Sequence, residues 1–242
     1  MVSRCNVKRI TLICLTMIVA ASSGKARAQA DGTPEGAATK PVSVTFRRES
    51  VTPLSALLSV ALQYDVPLGL ILGKEPTLCR SLRDFDIRDS GIRESLDSVV
   101  QGTGYVVSSE NGVFDVIAPD LTAHEKYLLN HRFQWFAASR TTMAGVGQTL
   151  GGYLATADGA TGFATDTISN PSGEYMEVSR IYNVTTTEIA NRIVLAGSKG
   201  VWVFHPTPTP RQTSDIKSPI DIYGYANDAY QLPGITCGTK TP

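Results

Sequence analysis

The sequence predicts an α+β fold made of two small βαβ/βαββ-type units with mixed sheets. Three observations favour this class: short stretches in which apolar and polar residues alternate, apolar faces at helical spacing between them, and glycine or proline where elements end. We expect a flexible leader before the two units and a flexible tail after them.

Residues 1–28 are predicted to form a cleavable signal peptide. Basic residues precede a mostly apolar run from Ile10 to Ala21, and the small residues Ala26 and Ala28 fit a cleavage site. An uncleaved membrane anchor is the alternative, but the run is shorter than the roughly 20 residues that cross a bilayer. We therefore expect a mature chain that begins near residue 29 and works in the periplasm, or is secreted.

The predicted cleavage also changes the charge of the protein. The chain has 22 basic and 22 acidic residues, and the first 28 hold five basic residues and no acidic one. The mature chain therefore has 17 basic against 22 acidic residues, a net charge near −5. An acidic protein lacks the positive surface that binds nucleic acid, and no second apolar run is long enough to span a membrane. We expect neither a nucleic-acid partner nor a membrane span in the mature chain.

The first unit is expected at residues 42–119, after a Gly-, Ala-, Thr- and Pro-rich leader at 29–41. Val42, Val44 and Phe46 alternate with polar residues, as in a half-buried strand. Thr52 and Pro53 are typical of a helix start. The other predicted elements are a strand at 68–72, a strand at 85–88, a helix at 92–103 and a hairpin that turns at Asn111-Gly112.

The second unit is expected at residues 120–205 and repeats the first more loosely. Its predicted elements are a strand at 131–136, a helix capped by Thr141 or Thr142, a strand at 176–181, a helix with a capping box at Thr185–Glu188 and a strand at 201–204. Residues 156–173, rich in small and polar residues, predict an irregular excursion. Residues 206–242 are rich in Pro, Thr and Asp and predict an extended or disordered tail.

One pair of segments indicates that the two units are related. Residues 94–104 and 187–197 align without a gap and place apolar residues and a final glycine at matching positions. The alternative is that any amphipathic helix ended by glycine resembles any other.

Two cysteines, Cys79 and Cys237, remain after signal removal. An exported protein meets an oxidising compartment, so these thiols could pair. The alternative is two free thiols, because the sequence alone does not show whether the two residues approach each other.

Two stretches of the first unit carry a family resemblance. They are VTFRRESVTPLSALLSVALQYDVPLGLI and LRDFDIRDSGIRESLDSVVQGTGYVVSSENGVFDVI. Their order of strands and helices resembles the secretin and TonB N-terminal short domain. The segment at 176–205 resembles the core of secretin N-domains more weakly. The insert around Cys79 departs from the family pattern.

The resemblance implies a role for the chain. Members of this family use such domains as periplasmic contact modules, in ring assembly or in signalling to partners. No secretin pore domain or outer-membrane barrel follows in this sequence, so we expect only the contact function to carry over.

Residue types that carry catalysis or bind metals form no recognisable motif. His124 and His131 are seven residues apart, about 10 Å along a helix axis, which is too far for one ion. His205 stands alone, no G-x-S-x-G motif occurs, and Gly145 and Gly147 lie within an apolar helical face. We expect no catalytic, cofactor-binding or metal-binding residue, no cofactor and no enzymatic activity.

The aromatic residues at 133–136 are the candidate contact residues. Core packing is expected for Phe133 and Trp135, whereas Phe136 breaks the alternation and is the candidate exposed contact.

Together, the predicted export, the absence of a catalytic motif and the contact role that the resemblance implies lead us to expect a non-enzymatic protein–protein interaction module of the bacterial cell envelope. It would bind envelope proteins by strand addition at exposed sheet edges. The alternative is a periplasmic protein that holds a small ligand between the two units, in a deep apolar pocket with convergent polar groups.

Overall fold

The computed structural model describes residues 42–74, 77–157, 175–197, 200–205 and 219–224. The helices of this part are α1 (Pro53–Gln63), α2 (Ile92–Val100), α3 (Ala123–Asn130), α4 (Met143–Ala157) and α5 (Thr186–Ala196). The strands are β1 (Val44–Val51), β2 (Leu68–Ile71), β3 (Arg83–Ser90), β4 (Val106–Glu110), β5 (Val113–Ile117), β6 (Arg132–Thr142), β7 (Tyr175–Thr185), β8 (Gly200–Phe204) and β9 (Ile220–Gly224). The predicted α+β class is confirmed.

The largest sheet has five strands in the order β4-β5-β2-β8-β9. The short strand β2 pairs in parallel with β5 on one side and with β8 on the other. The outer pairs β4–β5 and β8–β9 are antiparallel, so the sheet is mixed. Two further antiparallel pairs, β1–β3 and β6–β7, stand apart as two-stranded ribbons.

A hydrophobic core lies on each face of the five-stranded sheet. Because side chains alternate along a strand, Leu68 and Leu70 of β2 enter one core and Ile71 enters the other. The first core also contains apolar residues of α1, α2 and the ribbon β1–β3. The second contains residues of α3, α4, α5 and the ribbon β6–β7. Both faces of the central strands are therefore covered by helices and a ribbon.

The two predicted units contribute strands to the same sheet. Strands β2, β4 and β5 belong to residues 42–119, and β8 belongs to residues 120–205. The pairing of β2 with β8 runs from Leu68–Val201 to Ile71–Phe204. All described residues lie in one compact unit. The two halves therefore share a sheet rather than standing as separate domains.

Local sequence signals place several helix starts and one hairpin turn where they were predicted, whereas the strands β3, β6 and β7 are longer than predicted. The Thr52 hydroxyl accepts a hydrogen bond from the Ser55 backbone N–H, and Pro53 is the first residue of α1. Thr185 and Glu188 form the predicted capping box of α5. The β4–β5 hairpin turns at Asn111-Gly112, with φ of 52° and 88°; two such left-handed residues match the twist of a tight hairpin.

Part of the tail predicted to be extended or disordered, residues 206–242, forms the ordered strand β9. Ile220 and Ile222 of β9 are almost fully buried in the second core. A Cβ on Gly147 of α4 would lie 3.1 Å from Ile222 Cγ1, so the missing side chain lets β9 pack closely on α4. Residues 1–41, most of the 156–173 excursion and the rest of the tail lie outside the described residues.

Candidate functional site

Large exposed aromatic side chains occur on the ribbon β6–β7, which we call the aromatic ribbon. Trp135 is 40% exposed, Tyr182 is 65% exposed and Tyr175 is 62% exposed. Trp135 and Tyr182 are direct cross-strand partners, so their side chains leave the same face of the ribbon. Exposed apolar groups gathered in this way are typical of an interaction surface.

An arginine accompanies this aromatic pair. The guanidinium carbon of Arg180 lies 4.7 Å from the centre of the Trp135 ring, within the range of a cation–π contact. Arg180 and Tyr182 are two positions apart in β7, so they share the face that bears Trp135. Trp135, Tyr182 and Arg180 therefore form one continuous patch, which we call the Trp135 patch.

The aromatic ribbon also carries an excess of positive charge. Its two strands contain three arginines and one carboxylate: Arg132, Arg140, Arg180 and Glu177. Arg132 donates a hydrogen bond to the backbone carbonyl of Asn183. No described carboxylate forms an ion pair with Arg140 or Arg180.

The ribbon β1–β3, which we call the charged ribbon, has a different surface. It contains four arginines and four carboxylates: Arg47, Arg48, Arg83, Arg88, Glu49, Asp84, Asp86 and Asp89. Two ion pairs form within the ribbon among the described residues, Arg47–Glu49 at 2.9 Å and Arg88–Asp86 at 2.7 Å. Two ribbons of the same topology therefore differ in chemistry, and only the aromatic ribbon combines exposed rings with unpaired cations among the described residues.

Both strands of the aromatic ribbon have an outer edge. β6 and β7 pair only with each other in the described part of the chain, and each is 11 residues long. A strand edge presents backbone N–H and C=O groups that another extended chain can pair with. The aromatic ribbon therefore combines a free edge with the Trp135 patch.

A groove of about 600 Å³ borders the start of β6. It is lined by His131 and Phe133 on one side and by α4 on the other, through Gln148, Thr149, Gly152, Tyr153, Thr156 and Ala157. None of these residues is a carboxylate, lysine or arginine. The groove therefore suits an uncharged group.

A chain of ring contacts connects the groove to the Trp135 patch. The Tyr153 ring lies 6.0 Å from Phe133, 6.0 Å from Trp135 and 5.6 Å from Phe136, in each case near edge-to-face. On the other side, His131 lies 4.8 Å from Phe133 and 5.5 Å from Tyr127. Such aromatic contacts hold side chains in fixed orientations, so the groove wall and Trp135 are positioned together.

The prediction that Phe136 is an exposed contact is wrong. Phe136 is fully buried, and its ring packs against Tyr153 of α4. The pairing of β6 with β7 is regular from Arg132 to Phe136, so Phe136 leaves the opposite face of the strand from Trp135, and it enters the second core. Phe133 is buried as expected, whereas Trp135, expected in the core, is the residue that reaches solvent.

A second polar cluster lies inside the protein, beneath α5. Asp115, Gly69 and Trp202 are cross-strand neighbours on β5, β2 and β8. Asn191 of α5 joins the outer two: its amide donates to Asp115 Oδ2 at 3.2 Å, and its carbonyl oxygen accepts from Trp202 Nε1 at 2.7 Å. Gly69 leaves space for this bridge, because a Cβ there would lie 2.1 Å from Asp115 Oδ1.

Asp115 is an unusual carboxyl group for a protein interior. It is 4% exposed, and its Oδ1 has no hydrogen-bond partner among the described residues. Burial raises the pKa of Asp115 to about 6, the hydrogen bond from Asn191 opposes this rise, and the charge of Glu110 adds to it. Asp115 was not predicted as a site residue, because an aspartate in a short strand gives no local sign that it is buried.

Cys79 is disulfide-bonded. It ends a short 3₁₀ turn, Thr77–Cys79, whose Leu78 is buried in the first core. Cys237 lies outside the described residues, so its pairing with Cys79 stays a prediction.

The three histidines do not come together in the structure. His124 and His131 lie at opposite ends of α3, and His205 contacts Asp221 at 3.0 Å. Within the described ranges, no group of three His, Cys, Asp or Glu residues is arranged to hold a metal ion. No helix in the same ranges is long and apolar enough to cross a membrane.

Comparisons with known proteins found no matching family model, curated protein or solved structure. The resemblance of residues 42–118 to the secretin and TonB N-terminal short domain therefore stays a prediction.

Proposed function

We propose that this chain is an exported, non-enzymatic protein–protein interaction module of the bacterial cell envelope, and that the aromatic ribbon is its contact surface. The observation that carries the proposal is the Trp135 patch, an exposed Trp–Tyr pair with a stacked arginine on a ribbon whose edges are unpaired in the described part of the chain. Trp, Tyr and Arg are the residue types that most often dominate binding energy at protein interfaces.

Strand addition is the physical route. An extended segment of the partner would pair with the outer edge of β6 or β7, and its backbone groups would satisfy the free N–H and C=O groups there. Its alternate side chains would then lie beside Trp135 or Tyr182. The backbone pairing supplies affinity for any extended chain, and the side-chain contacts supply selectivity.

The sequence adds support for the cellular setting. The predicted signal peptide favours a periplasmic or secreted protein. The order of elements from β1 to β5 agrees with the strand and helix pattern on which the secretin and TonB resemblance was drawn. That resemblance implies periplasmic contact modules, which agrees with a surface suited to a protein partner.

The alternative, a small ligand held between the two units, has less support. The two halves meet at the shared five-stranded sheet, whose central strands are packed on both faces. The groove of about 600 Å³ lies within the second half, between α4 and β6. Its position beside a free edge suits a side chain of a bound protein.

Affinity capture with matched variants tests the proposal. The mature protein would be immobilised and incubated with envelope extract, beside a Trp135→Ser/Tyr182→Ser double variant. A Leu82→Ser/Val106→Ser variant is the control, because these exposed apolar residues lie in the first half. We expect the first variant to lose the captured proteins and the control to keep them. Capture of the same proteins by all three would contradict the proposal.

A further inference from the structure

We infer that the partner segment bound by the aromatic ribbon is an extended acidic peptide. Its carboxylates would contact Arg180, and its apolar side chains would cover Trp135 and Tyr182. This inference rests on the proposed function and names the chemistry of the partner.

The aromatic ribbon and the mature chain as a whole differ in the sign of their charge. The mature chain has a net charge near −5, whereas the two strands of the aromatic ribbon carry three arginines and one carboxylate. The sign of the charge on this ribbon is thus opposite to that of the mature protein. A positive surface on an acidic protein attracts acidic segments and repels basic ones during encounter.

The arginines of the two ribbons differ in whether they form ion pairs. Arg180 rests on Trp135 and forms no ion pair with a described carboxylate, whereas Arg47 and Arg88 of the charged ribbon are paired with Glu49 and Asp86. A guanidinium held on an aromatic ring is oriented in advance, and its free N–H groups match a carboxylate in a two-point contact. Arg180 is therefore ready to bind a carboxylate of a partner.

The geometry of the Trp135 patch also points to this partner. Trp135, Tyr182 and Arg180 share one face of the ribbon. A strand added to this ribbon lies about 4.8 Å from its neighbour and places every second side chain on that face. The acidic and apolar residues of the partner should therefore alternate with residues that point away. Neutral glycans also bind aromatic surfaces. A neutral glycan, however, would not neutralise the excess positive charge of the aromatic ribbon.

Synthetic peptides supply the direct test. A labelled peptide that repeats Asp-Thr-Val-Thr places aspartate and valine on the same face of an extended strand. It would be titrated into the oxidised mature protein, beside peptides with serine or lysine in place of aspartate. Binding would be followed by anisotropy and by the change in tryptophan emission on binding, which reports on Trp135 because the fully buried Trp202 also emits but does not contact the peptide. We expect only the aspartate peptide to bind appreciably, and its affinity to fall as salt is added.

A charge reversal with a matched control identifies the contact. Arg180→Glu should weaken the aspartate peptide by about tenfold and improve binding of the lysine peptide. Arg48→Glu is the control, because Arg48 also lies over an aromatic ring, at 5.5 Å from Phe46, but on the charged ribbon; it makes the same change in net charge and should have little effect. Arg180 is on the surface, so melting temperatures of both variants should match the parent. Should Arg180→Glu melt at a lower temperature, Arg180→Gln removes the positive charge without adding a negative one. It should also weaken binding of the aspartate peptide.

Three results would overturn the acidic partner: equal binding of the serine and aspartate peptides, equal effects of Arg180→Glu and Arg48→Glu, or binding of a neutral oligosaccharide in place of the peptides. The same variants distinguish a wrong partner chemistry from a wrong contact surface. Should envelope capture depend on Trp135 and Tyr182 yet survive Arg180→Glu, the contact surface would stand and only the acidic chemistry would be wrong.

Discussion

The side-chain amide of Asn191 donates a hydrogen bond to the buried carboxyl group of Asp115, at 3.2 Å, and this bond connects α5 of the second half to β5 of the first. Asn191 also accepts a hydrogen bond from Trp202 of β8. A single amide thus links two strands of the shared sheet across Gly69 of β2. The arrangement leaves Asp115 Oδ1 without a hydrogen bond from the described residues, and such a group costs free energy when it is charged.

The raised pKa of Asp115 predicts a pH dependence of stability. In the folded protein the carboxyl group of Asp115 has a pKa of about 6, whereas in the unfolded chain its pKa is the ordinary 3.8. The folded state therefore binds more protons between these values, and the contribution of Asp115 to stability falls as pH rises from about 4 to about 6. A shift of about two pKa units corresponds to about 3 kcal/mol.

Urea unfolding of the parent and Asp115→Asn at pH 4 and pH 8 isolates this effect. Because other groups titrate in both proteins, the informative quantity is the difference in unfolding free energy between variant and parent. We expect that difference to shift in favour of the variant by about 2 kcal/mol between the two pH values, because the unfolded carboxyl group is already more than half ionised at pH 4. An unchanged difference would show that Asp115 titrates normally.

Gly69→Ala should destabilise the protein. The new Cβ would lie 2.1 Å from Asp115 Oδ1 and 2.6 Å from Trp202 Cε2, in the central strand of the sheet, where the backbone has little freedom to move. Overpacking of this kind costs about 1–3 kcal/mol, and loss of the Asn191 bridge would add to it. Gly224→Ala is the control, because its nearest described neighbour, Met143 Sδ, is 3.8 Å away. In thermal melting, Gly69→Ala should unfold at a clearly lower temperature than Gly224→Ala.

Phe136 and Trp135, neighbours in β6, should respond oppositely to truncation. Phe136→Ala removes a fully buried ring and should cost about 3–5 kcal/mol of unfolding free energy. Trp135→Ala removes a ring that is 40% exposed, and should cost clearly less while abolishing partner capture. Denaturant titration and the capture assay together check both statements. A stable Phe136→Ala variant would contradict the burial of that ring.

A thiol count decides the predicted disulfide between Cys79 and Cys237. Cys79 is bonded in the structure, and cleavage after residue 28 would leave Cys237 as its only possible partner within the chain. Oxidised mature protein, unfolded without reductant, should contain no free thiol. Cys237→Ser should expose one thiol per chain, at Cys79, and a count of two in the parent would contradict the pairing.

Local chemistry explains why many elements were predictable. Helix caps and tight turns are formed by residues that are close together in the chain, so the local sequence is enough to predict them. Examples are Thr52-Pro53, Asn111-Gly112 and the capping box at Thr185–Glu188. The alternation of Phe85 and Ile87 marked the buried face of β3 for the same reason.

The candidate site was harder to predict because burial depends on distant partners. The aromatic run at 133–136 was predicted to hold the contact residue. However, the packing of α4 and the second core against β6 buries Phe136 and leaves Trp135 partly exposed. Likewise, Arg180 became informative only when pairing with β6 placed it over Trp135.

The sequence by itself determined the α+β class and the starts of α1, α2, α4 and α5, because side-chain caps, turn residues and apolar periodicity act locally. The tertiary structure alone decided that β2 lies between β5 and β8, that β9 extends the sheet and that Asp115 is buried beneath α5. These features depend on contacts between segments far apart in the chain. Their energy comes from covering both faces of one sheet, which no local pattern encodes.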